Sequence, residues 1–154
     1  MKIKLIGIGK TTDPNIIALC SEFENRLKHY CQFEVEYHSS KLKTNERELV
    51  KTEEGKLLLA KILPSNQVIL LDNRGDQYGS EEFSQFLQKR LNAASQDIVF
   101  LIGGAFGFSE AVYERANFKL SLSKMTFTHQ LIRVIFTEQL YRAFTILKGE
   151  KYHH

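Results

Sequence analysis

Two continuous apolar runs place the strongest constraint on the fold. QVILLD (67–72) and DIVFLI (97–102) show no alternation of apolar and polar residues along their central positions. A strand of this kind is buried on both faces, which is typical of the inner strands of a parallel sheet. Parallel neighbours are joined by crossover connections, usually helices. The two runs therefore predict an α/β domain with a largely parallel sheet covered by helices on both faces.

Alternating strands and helices are predicted along the rest of the chain. The pattern predicts further strands over 2–9, 33–38 and 118–123, helices over 14–30, 46–63, 80–94 and 128–148, a turn at NRGDQYGS (73–80), and a short helix capped by Ser109. Asp13 followed by Pro14 indicates the N-cap and the first residue of the first helix. Because no repeat, low-complexity tract or linker interrupts the pattern, residues 1–154 are predicted to form one domain.

Composition and charge exclude several classes of protein. The chain is 43% hydrophobic and 25% charged, as in an ordinary globular protein. No apolar run reaches the length of a membrane span, and the N-terminal apolar stretch is too short for a signal peptide, so we expect a cytoplasmic protein. The net charge of +3 permits a nucleic-acid partner without requiring one. Cys20 and Cys31 lack the spacing of a metal site, which predicts reduced thiols and no metal.

The segment FLIGGAFGFSE (100–110) is the first candidate for a binding site. Its glycines do not match the G-x-G-x-x-G spacing, and GIGKTT (7–12) lacks the first glycine of a phosphate-binding loop. The glycines either permit a tight turn or let a ligand approach the main chain. Asp72 and the pair Ser121 and Ser123 end other predicted strands, so they should reach the same sheet edge. This convergence favours a site for an adenosine-like ligand, with Asp72 as a ribose ligand.

The last predicted helix and the chain end carry candidate catalytic side chains. His129 and Arg133 are four residues apart and share one side of the helix, whereas Arg142 faces roughly the opposite side. The plain alternatives are an ion pair of Arg142 with Glu138 and a solvated or interface position for Arg133. Tyr152 and His153 are able to face a nucleobase, although chain ends are usually disordered.

One basic segment has a plainer interpretation. KLKTNERELVK (41–51) is interpreted as a solvated surface rather than as an RNA contact.

Seven segments carry a resemblance to a known family. They are KIKLIGIGK (2–10), VILLD (68–72), FLIGGAFGFSE (100–110), LSLSKMTF (120–127), HQLIRV (129–134), EQLYRAF (138–144) and GEKYH (149–153). In this order they resemble the RlmH (YbeA) family of SPOUT-class methyltransferases, which methylate N3 of a pseudouridine in 23S rRNA. The resemblance covers essentially the whole chain.

The resemblance implies a SPOUT-type parallel sheet with a deep trefoil knot in the C-terminal half. It implies S-adenosyl-L-methionine as the cofactor, bound in a bent shape by the knot loops. By position, the cofactor pocket should be lined by Leu71, Gly103, Leu122, Ser123, Lys124, Met125, Thr126 and Phe127. Leu71 thereby replaces Asp72 as the expected contact at the end of its strand.

The resemblance also implies partners and catalytic candidates. The family is homodimeric, its site is completed across the interface, and its substrate is 23S rRNA in the 50S subunit or the 70S ribosome. The candidates for removing the N3 proton or stabilising the developing charge are His129, Arg133, Arg142, Tyr152 and His153. A histidine base and an electrostatic lowering of the pKa of N3 both stay open.

The sequence departs from the family pattern at three positions, and other functions stay open. Thr128, Lys151 and His154 stand where many members have proline, proline and a cation, which bears on how the tail is held. The alternatives are a SPOUT methyltransferase acting on another RNA, such as a tRNA, and a non-catalytic ribosome-associated RNA-binding module.

Overall fold

The computed structural model describes residues 1–93 and 96–154, in which strands and helices alternate. In chain order the elements are β1 (Lys2–Ile8), α1 (Pro14–Leu27), β2 (Gln32–His38), α2 (Arg47–Leu59), β3 (Gln67–Gln77), α3 (Ser80–Ala93), β4 (Ile98–Ile102), α4 (Glu110–Arg115), β5 (Phe118–Ser121) and α5 (Leu131–Leu147). The predicted α/β class is confirmed. The predicted end of the third long helix, at residue 94, lies outside the described residues.

One parallel sheet organises these elements. Its strands lie in the order β2-β1-β4-β3-β5, and each pairs with its neighbours in parallel. All five residues of β4 are buried, and Val68 to Leu70 of β3 are buried as well. The two continuous apolar runs thus form inner strands, as their composition predicted.

Helices cover both faces of the sheet, which is the second predicted feature. On one face, Leu5 and Phe100 pack with Phe136 and Leu140 of α5 in one apolar cluster. On the other face, a second cluster of apolar residues includes Ile6 of β1, Leu58 of α2, Val99 of β4 and Val112 of α4. Successive residues of β1 and β4 therefore face opposite layers, as the alternation of side chains in a strand requires.

Strand β3 contradicts the turn predicted at 73–80. Leu71 and Asp76 both pair with Leu120 of β5, so residues 72–75 leave the ladder as a bulge and the strand then resumes. A Cβ at Gly75 would lie 2.6 Å from the main-chain nitrogen of Leu120, so only glycine allows this approach. The sequence did not reveal the resumed strand because main-chain pairing, rather than apolar side chains, holds it. The bulge displaces Asp72 and Arg74 from the ladder at the carboxyl edge of the sheet.

Several helix boundaries also differ from the predictions. The first two helices end three to four residues earlier than 30 and 63, and the last helix begins at Leu131 rather than at 128. The Asp13 cap is confirmed: its Oδ1 accepts hydrogen bonds from the main-chain nitrogens of Asn15 (2.8 Å) and Ile16 (3.4 Å). Ser109 precedes α4 at the cap position without a side-chain hydrogen bond.

None of the helices described here is both long enough and apolar enough to cross a membrane.

Candidate functional site

A cavity of about 490 Å³ lies where the carboxyl ends of β3, β4 and β5 meet. Three segments form most of its wall: Leu71 with residues 72–74 of the β3 bulge, the glycine turn at 102–108, and the segment 121–127 that begins at the end of β5. Further lining side chains are Arg47 and Lys51 of α2, Tyr113 of α4, His129 and Ile132. The three loops that sequence placed at one sheet edge therefore surround one cavity.

Most of the expected cofactor residues lie on this wall. The lining residues among them are Leu71, Gly103, Leu122, Ser123, Met125, Thr126 and Phe127. Lys124 belongs to the same segment but is exposed and does not appear on the described wall. Asp72, which was replaced by Leu71 as the expected contact, lines the cavity too.

Each glycine of the turn is required for a different structural reason. Gly107 has φ of 82° and donates its N–H to the carbonyl of Gly104 at 3.0 Å, so a tight turn does require it. A Cβ at Gly103 would meet the carbonyl carbon of Gly107 at 3.3 Å. A Cβ at Gly104 would lie 2.7 Å from Cδ of Glu54, inside van der Waals contact. The glycines therefore form a tight turn, which was the first alternative. They also leave main chain exposed on a cavity wall, which the second alternative requires.

The β3 bulge is held by a three-residue network. The main-chain nitrogen of Arg74 donates to Oδ1 of Asp72 at 2.9 Å, and the Tyr113 hydroxyl donates to Oδ2. The Arg74 guanidinium lies 4.9 Å from the centre of the Tyr113 ring. Burial raises the pKa of Asp72, but the hydrogen bonds from Tyr113 and Arg74 outweigh it and hold the pKa below its ordinary value. Asp72 is therefore an ionised carboxylate whose two oxygens already accept hydrogen bonds from Arg74 and Tyr113.

The segment after β5 is shaped by its serines. The Ser121 hydroxyl donates to the carbonyl of Ser123 at 2.9 Å, and Ser123 Oγ accepts from the main-chain nitrogen of Met125 at 2.9 Å. These local bonds replace ladder bonds and curve the chain away from the sheet. Leu122 and Phe127 thereby lie on the same cavity wall.

The structure separates His129 from Arg133. His129 lines the cavity, whereas Arg133 is 1% exposed and extends beneath the end of β1. Arg133 Nη2 donates to the carbonyls of Ile8 (2.9 Å) and Gly9 (2.7 Å), and Nη1 donates to Thr11 Oγ1 at 2.6 Å. The plain alternative of a solvated arginine is wrong, because Arg133 is buried and its Nη1 and Nη2 groups donate to its own chain; its Nε is buried with no partner among the described residues.

The other three catalytic candidates form a second cluster on α5. Arg142 donates to Oε1 of Glu138 through Nε (3.0 Å) and Nη2 (2.6 Å), and Tyr152 donates to the same oxygen at 2.9 Å. Arg142 Nη1 lies 3.4 Å from His153 Nδ1, and its guanidinium lies 4.7 Å from the centre of the Tyr152 ring. The Arg142–Glu138 ion pair exists as the sequence suggested, and the tail packs onto it. We name Glu138, Arg142, Tyr152 and His153 the tail cluster.

A further contact fixes the tail. The Tyr30 hydroxyl donates to Glu150 Oε2 at 2.6 Å, which attaches the residues after α5 to the end of α1. The tail thus packs on its own chain, despite Lys151 where many family members have proline. The tail cluster is not on the described wall of the cavity.

Helix α2 contributes side chains to the cavity wall that were not predicted from the sequence. Arg47 and Lys51 line the cavity, although the stretch that contains them was interpreted as solvated. Glu54, also on α2, is 9% exposed and lies against Gly104. The spacing i, i+4, i+7 of these three residues places them along one side of the helix, which is the signal that could have identified them.

The cysteines and acidic residues give no metal site in the part of the chain described. There, no three His, Cys, Asp or Glu side chains are grouped closely enough to hold an ion. Cys20 and Cys31 are free, and burial raises the pKa of each thiol, to about 11 and about 12 respectively. Both thiols are therefore protonated and unreactive at neutral pH.

The fold and the cavity define a class of enzyme. The model of the family described as predicted SPOUT methyltransferases matches residues 1–153. The chain belongs to this family, whose methyl donor is S-adenosyl-L-methionine.

Its sequence relatives carry a more specific name. The ribosomal RNA large subunit methyltransferase H of Christiangramia forsetii is 51% identical over 100% of this chain and 99% of the relative. The protein of the same name from Cytophaga hutchinsonii is 48% identical over 100% of both chains. The resemblance drawn from the seven segments is thereby confirmed.

A solved structure supports the fold alone. The crystal structure of a probable rRNA-methyltransferase from Porphyromonas gingivalis superimposes with a TM-score of 0.51 and 13% identity, over 95% of this chain and 69% of that one.

Proposed function

We propose that this protein transfers the methyl group of S-adenosyl-L-methionine to N3 of a pseudouridine in 23S rRNA of the large ribosomal subunit. The observation that carries the proposal is the cavity enclosed by the β3 bulge, the glycine turn and the segment 121–127. The name shared by the full-length relatives supports a large-subunit rRNA substrate. The choice of pseudouridine N3 follows from the family resemblance.

The cavity fits the cofactor in size and chemistry. Its volume of about 490 Å³ lies in the range of roughly 300–1,000 Å³ that is usual for small-molecule sites. Leu122, Phe127 and Ile132 offer apolar surface for an adenine ring, and the bare main chain of Gly103 offers polar groups for its edge. We assign to the cofactor the seven predicted residues on the wall, and Lys124 as their exposed neighbour.

The bound cofactor supplies an activated methyl group, so the protein mainly has to position the acceptor nitrogen. Good alignment of two reactants can contribute up to about 7–11 kcal/mol. N3 must lose its proton before or during the transfer, and His129 is the candidate base on the cavity wall. Arg142 of the tail cluster is suited to stabilise negative charge on the pyrimidine oxygen, with Tyr152 and His153 beside it. Arg133 holds the main chain at the end of β1 and is assigned a positioning role.

We propose a homodimer in which the tail cluster of one protomer completes the cavity of its partner. This arrangement would explain why candidates of one reaction lie in two places within a single chain. Ile17 and Leu19 on α1 and Leu131 on α5 are each more than 40% exposed, and α1 packs on α5. A two-fold interface uses the same patch on both protomers, so the exposed apolar residues of α1 and α5 are the candidates for the contact. Sedimentation as a monomer at micromolar concentration would refute the dimer.

Mapping of methylated nucleotides tests the proposed function. Large-subunit rRNA, 50S subunits and 70S ribosomes from a strain lacking the enzyme are incubated with the protein and S-adenosyl-L-methionine, then analysed by mass spectrometry. A new methyl on a pseudouridine in 23S rRNA is the expected result. A methyl gained only by added tRNA would favour another SPOUT activity. Cofactor binding without any transfer would overturn the assignment of this substrate, and absence of both would favour a non-catalytic RNA-binding module.

Three further expectations stay predictions. The deep trefoil knot of the C-terminal half is implied by the resemblance, whereas the organisation of residues 1–154 as one domain and a cytoplasmic location are expected from the sequence pattern. Limited proteolysis that released a stable fragment would contradict the single domain.

A further inference from the structure

Glu54 carries a buried carboxyl group directly behind the glycine turn. The residue is 9% exposed, and its Oε2 atom has no hydrogen-bond partner within residues 1–93 and 96–154. Its Cδ lies 2.7 Å from the place of a Cβ on Gly104, so the carboxyl group occupies the space that a side chain at position 104 would fill. Gly104 itself lines the cavity. Gly104 therefore lies between this carboxyl group and the cavity.

The helix that carries Glu54 is held close to the turn by a second feature. A Cβ on Gly55 would lie 3.2 Å from Cβ of Ser109, so glycine at position 55 lets α2 approach the end of the glycine segment. Arg47 and Lys51 occupy the same side of α2 and reach the cavity wall. This side of α2 thus presents two cations at the wall and one buried carboxyl group behind it.

The charges around Glu54 do not neutralise it. Ionisable groups on the surrounding elements include Arg47 and Lys51 from α2, Lys4 from β1, Glu110 and Tyr113 from α4, Asp72 and Arg74 from the bulge, and His129 on the cavity wall. Lys4 pairs with Glu34, and Arg74 pairs with Asp72. Burial is the cause that raises the pKa of Glu54 above its ordinary value. A cation brought near this carboxyl group would supply the missing partner.

We propose that Glu54 makes the cavity discriminate between a cationic and a neutral form of the same ligand. In its ionised form it favours a sulfonium nucleoside over the corresponding thioether, so that S-adenosyl-L-methionine binds more tightly than S-adenosylhomocysteine. The inference rests on the proposed cofactor cavity and adds to it a residue that determines specificity. Glu54 acts across the main chain of Gly104 and takes no part in proton transfer.

The charge of the ligand changes during methyl transfer, so this discrimination would affect the release of the product. In the transfer, the bond between sulfur and the methyl carbon would break with its electron pair kept by sulfur, and the carbon would bond to N3, whose proton would pass to the proposed base His129. The ligand thereby changes from a sulfonium cation to a neutral thioether. A carboxylate that stabilises only the cation strengthens binding of S-adenosyl-L-methionine and does not strengthen binding of S-adenosylhomocysteine. This difference favours release of the product.

Calorimetric titration of the two ligands into the full-length protein tests the proposal at neutral pH. Glu54→Gln keeps the shape of the side chain and removes its charge. We expect affinity for S-adenosyl-L-methionine to fall about tenfold, through loss of a charge that acts without direct contact, and affinity for S-adenosylhomocysteine to stay unchanged. Glu53→Gln is the matched control, because Glu53 is the next residue of α2 and pairs with Lys56 at 2.9 Å. It should leave both affinities unchanged.

The unmodified protein provides a second measurement that needs no variant at Glu54. Because protonation of Glu54 removes its charge, affinity for S-adenosyl-L-methionine should decrease as pH falls through the raised pKa of Glu54, and affinity for S-adenosylhomocysteine should decrease less. His129→Gln removes the imidazole from the cavity wall, and the difference between the two ligands should persist in that variant.

The outcomes separate the inference from the cofactor site itself. If the unmodified protein binds neither ligand, the cofactor cavity is wrong. If it binds both ligands and Glu54→Gln weakens both equally, or neither, Glu54 has only a structural role and the inference fails.

Discussion

The guanidinium of Arg133 lies 3.9 Å from the centre of the Tyr37 ring, which joins the first turn of α5 to the edge strand β2. The same guanidinium donates to the carbonyls of Ile8 and Gly9, where β1 ends. Arg133 therefore connects three chain segments below the surface and is nearly inaccessible, at 1% exposure. These contacts explain its burial without any contact to a substrate.

Arg133→Met is expected to destabilise the fold by about 3 kcal/mol, because the buried carbonyl of Ile8 and the partly buried carbonyl of Gly9 lose a charged donor. Urea unfolding measures this loss, and the affinity for S-adenosyl-L-methionine, measured well below the unfolding midpoint, should change little. Lys10→Met provides a control for removal of a nearby exposed cation. An Arg133→Met protein of unchanged stability that has lost methyl transfer would instead give Arg133 a direct role in the reaction.

Gly104→Ala is expected to destabilise the glycine turn through a clash with Glu54. The added Cβ would lie 2.7 Å from Cδ of Glu54, so the turn or the carboxyl group must move, at about 1–3 kcal/mol. In a Glu54→Ala background the same substitution should cost much less, because the obstructing group is gone. Urea unfolding of the two single variants and the double variant gives this coupling. Additive effects would show that Glu54 does not occupy that space.

Gly107→Ala is the matched comparison for a different mechanism. Nothing lies within 4 Å of its added Cβ, but φ of 82° is unfavourable for alanine. We expect a cost of about 1–2 kcal/mol that does not depend on Glu54. A cost that disappears in the Glu54→Ala background would contradict this separation of strain from steric conflict.

The sequence predicted the central strands and the three walls of the cavity because these depend on local composition. Continuous apolar runs identify inner strands, and parallel strands bring their carboxyl ends to one edge. The bulge at 72–75 was missed because main-chain pairing at Asp76 and Gln77 leaves no apolar signal. The burial of Arg133 was missed because a charged residue on a helix usually indicates solvent. Both features arise from contacts between segments that are distant in the chain. The local pattern of residues around each position does not indicate such contacts.

The network of Asp72 with Tyr113 and Arg74 predicts an acid-sensitive contribution to stability. The pKa of Asp72 is lower in the folded protein than in the unfolded chain, where it is about 3.9. Its contribution is therefore fully present above that value and is lost as pH falls below it. Tyr113→Phe removes the hydroxyl donor, so the stability lost between about pH 5 and pH 2 should be smaller than in the unmodified protein. Equal losses in the two proteins would show that the hydroxyl does not stabilise the carboxylate.

Mixing two inactive variants tests whether the tail cluster acts on the partner's cavity. Arg142→Ala should reduce methyl transfer by about 10²-fold or more and leave cofactor affinity unchanged, because Arg142 does not lie on the described cavity wall. Gly103→Phe should block the cavity, since even a Cβ at this position meets Phe108 at 3.3 Å. In a site shared between protomers, half of the randomly mixed dimers combine one intact tail cluster with one intact cavity. Mixing should then restore about a quarter of the unmodified activity, since each such dimer has one of two sites intact. If each site uses the tail of its own chain, both protomers of the mixed dimer are defective and activity stays at the level of the separate variants.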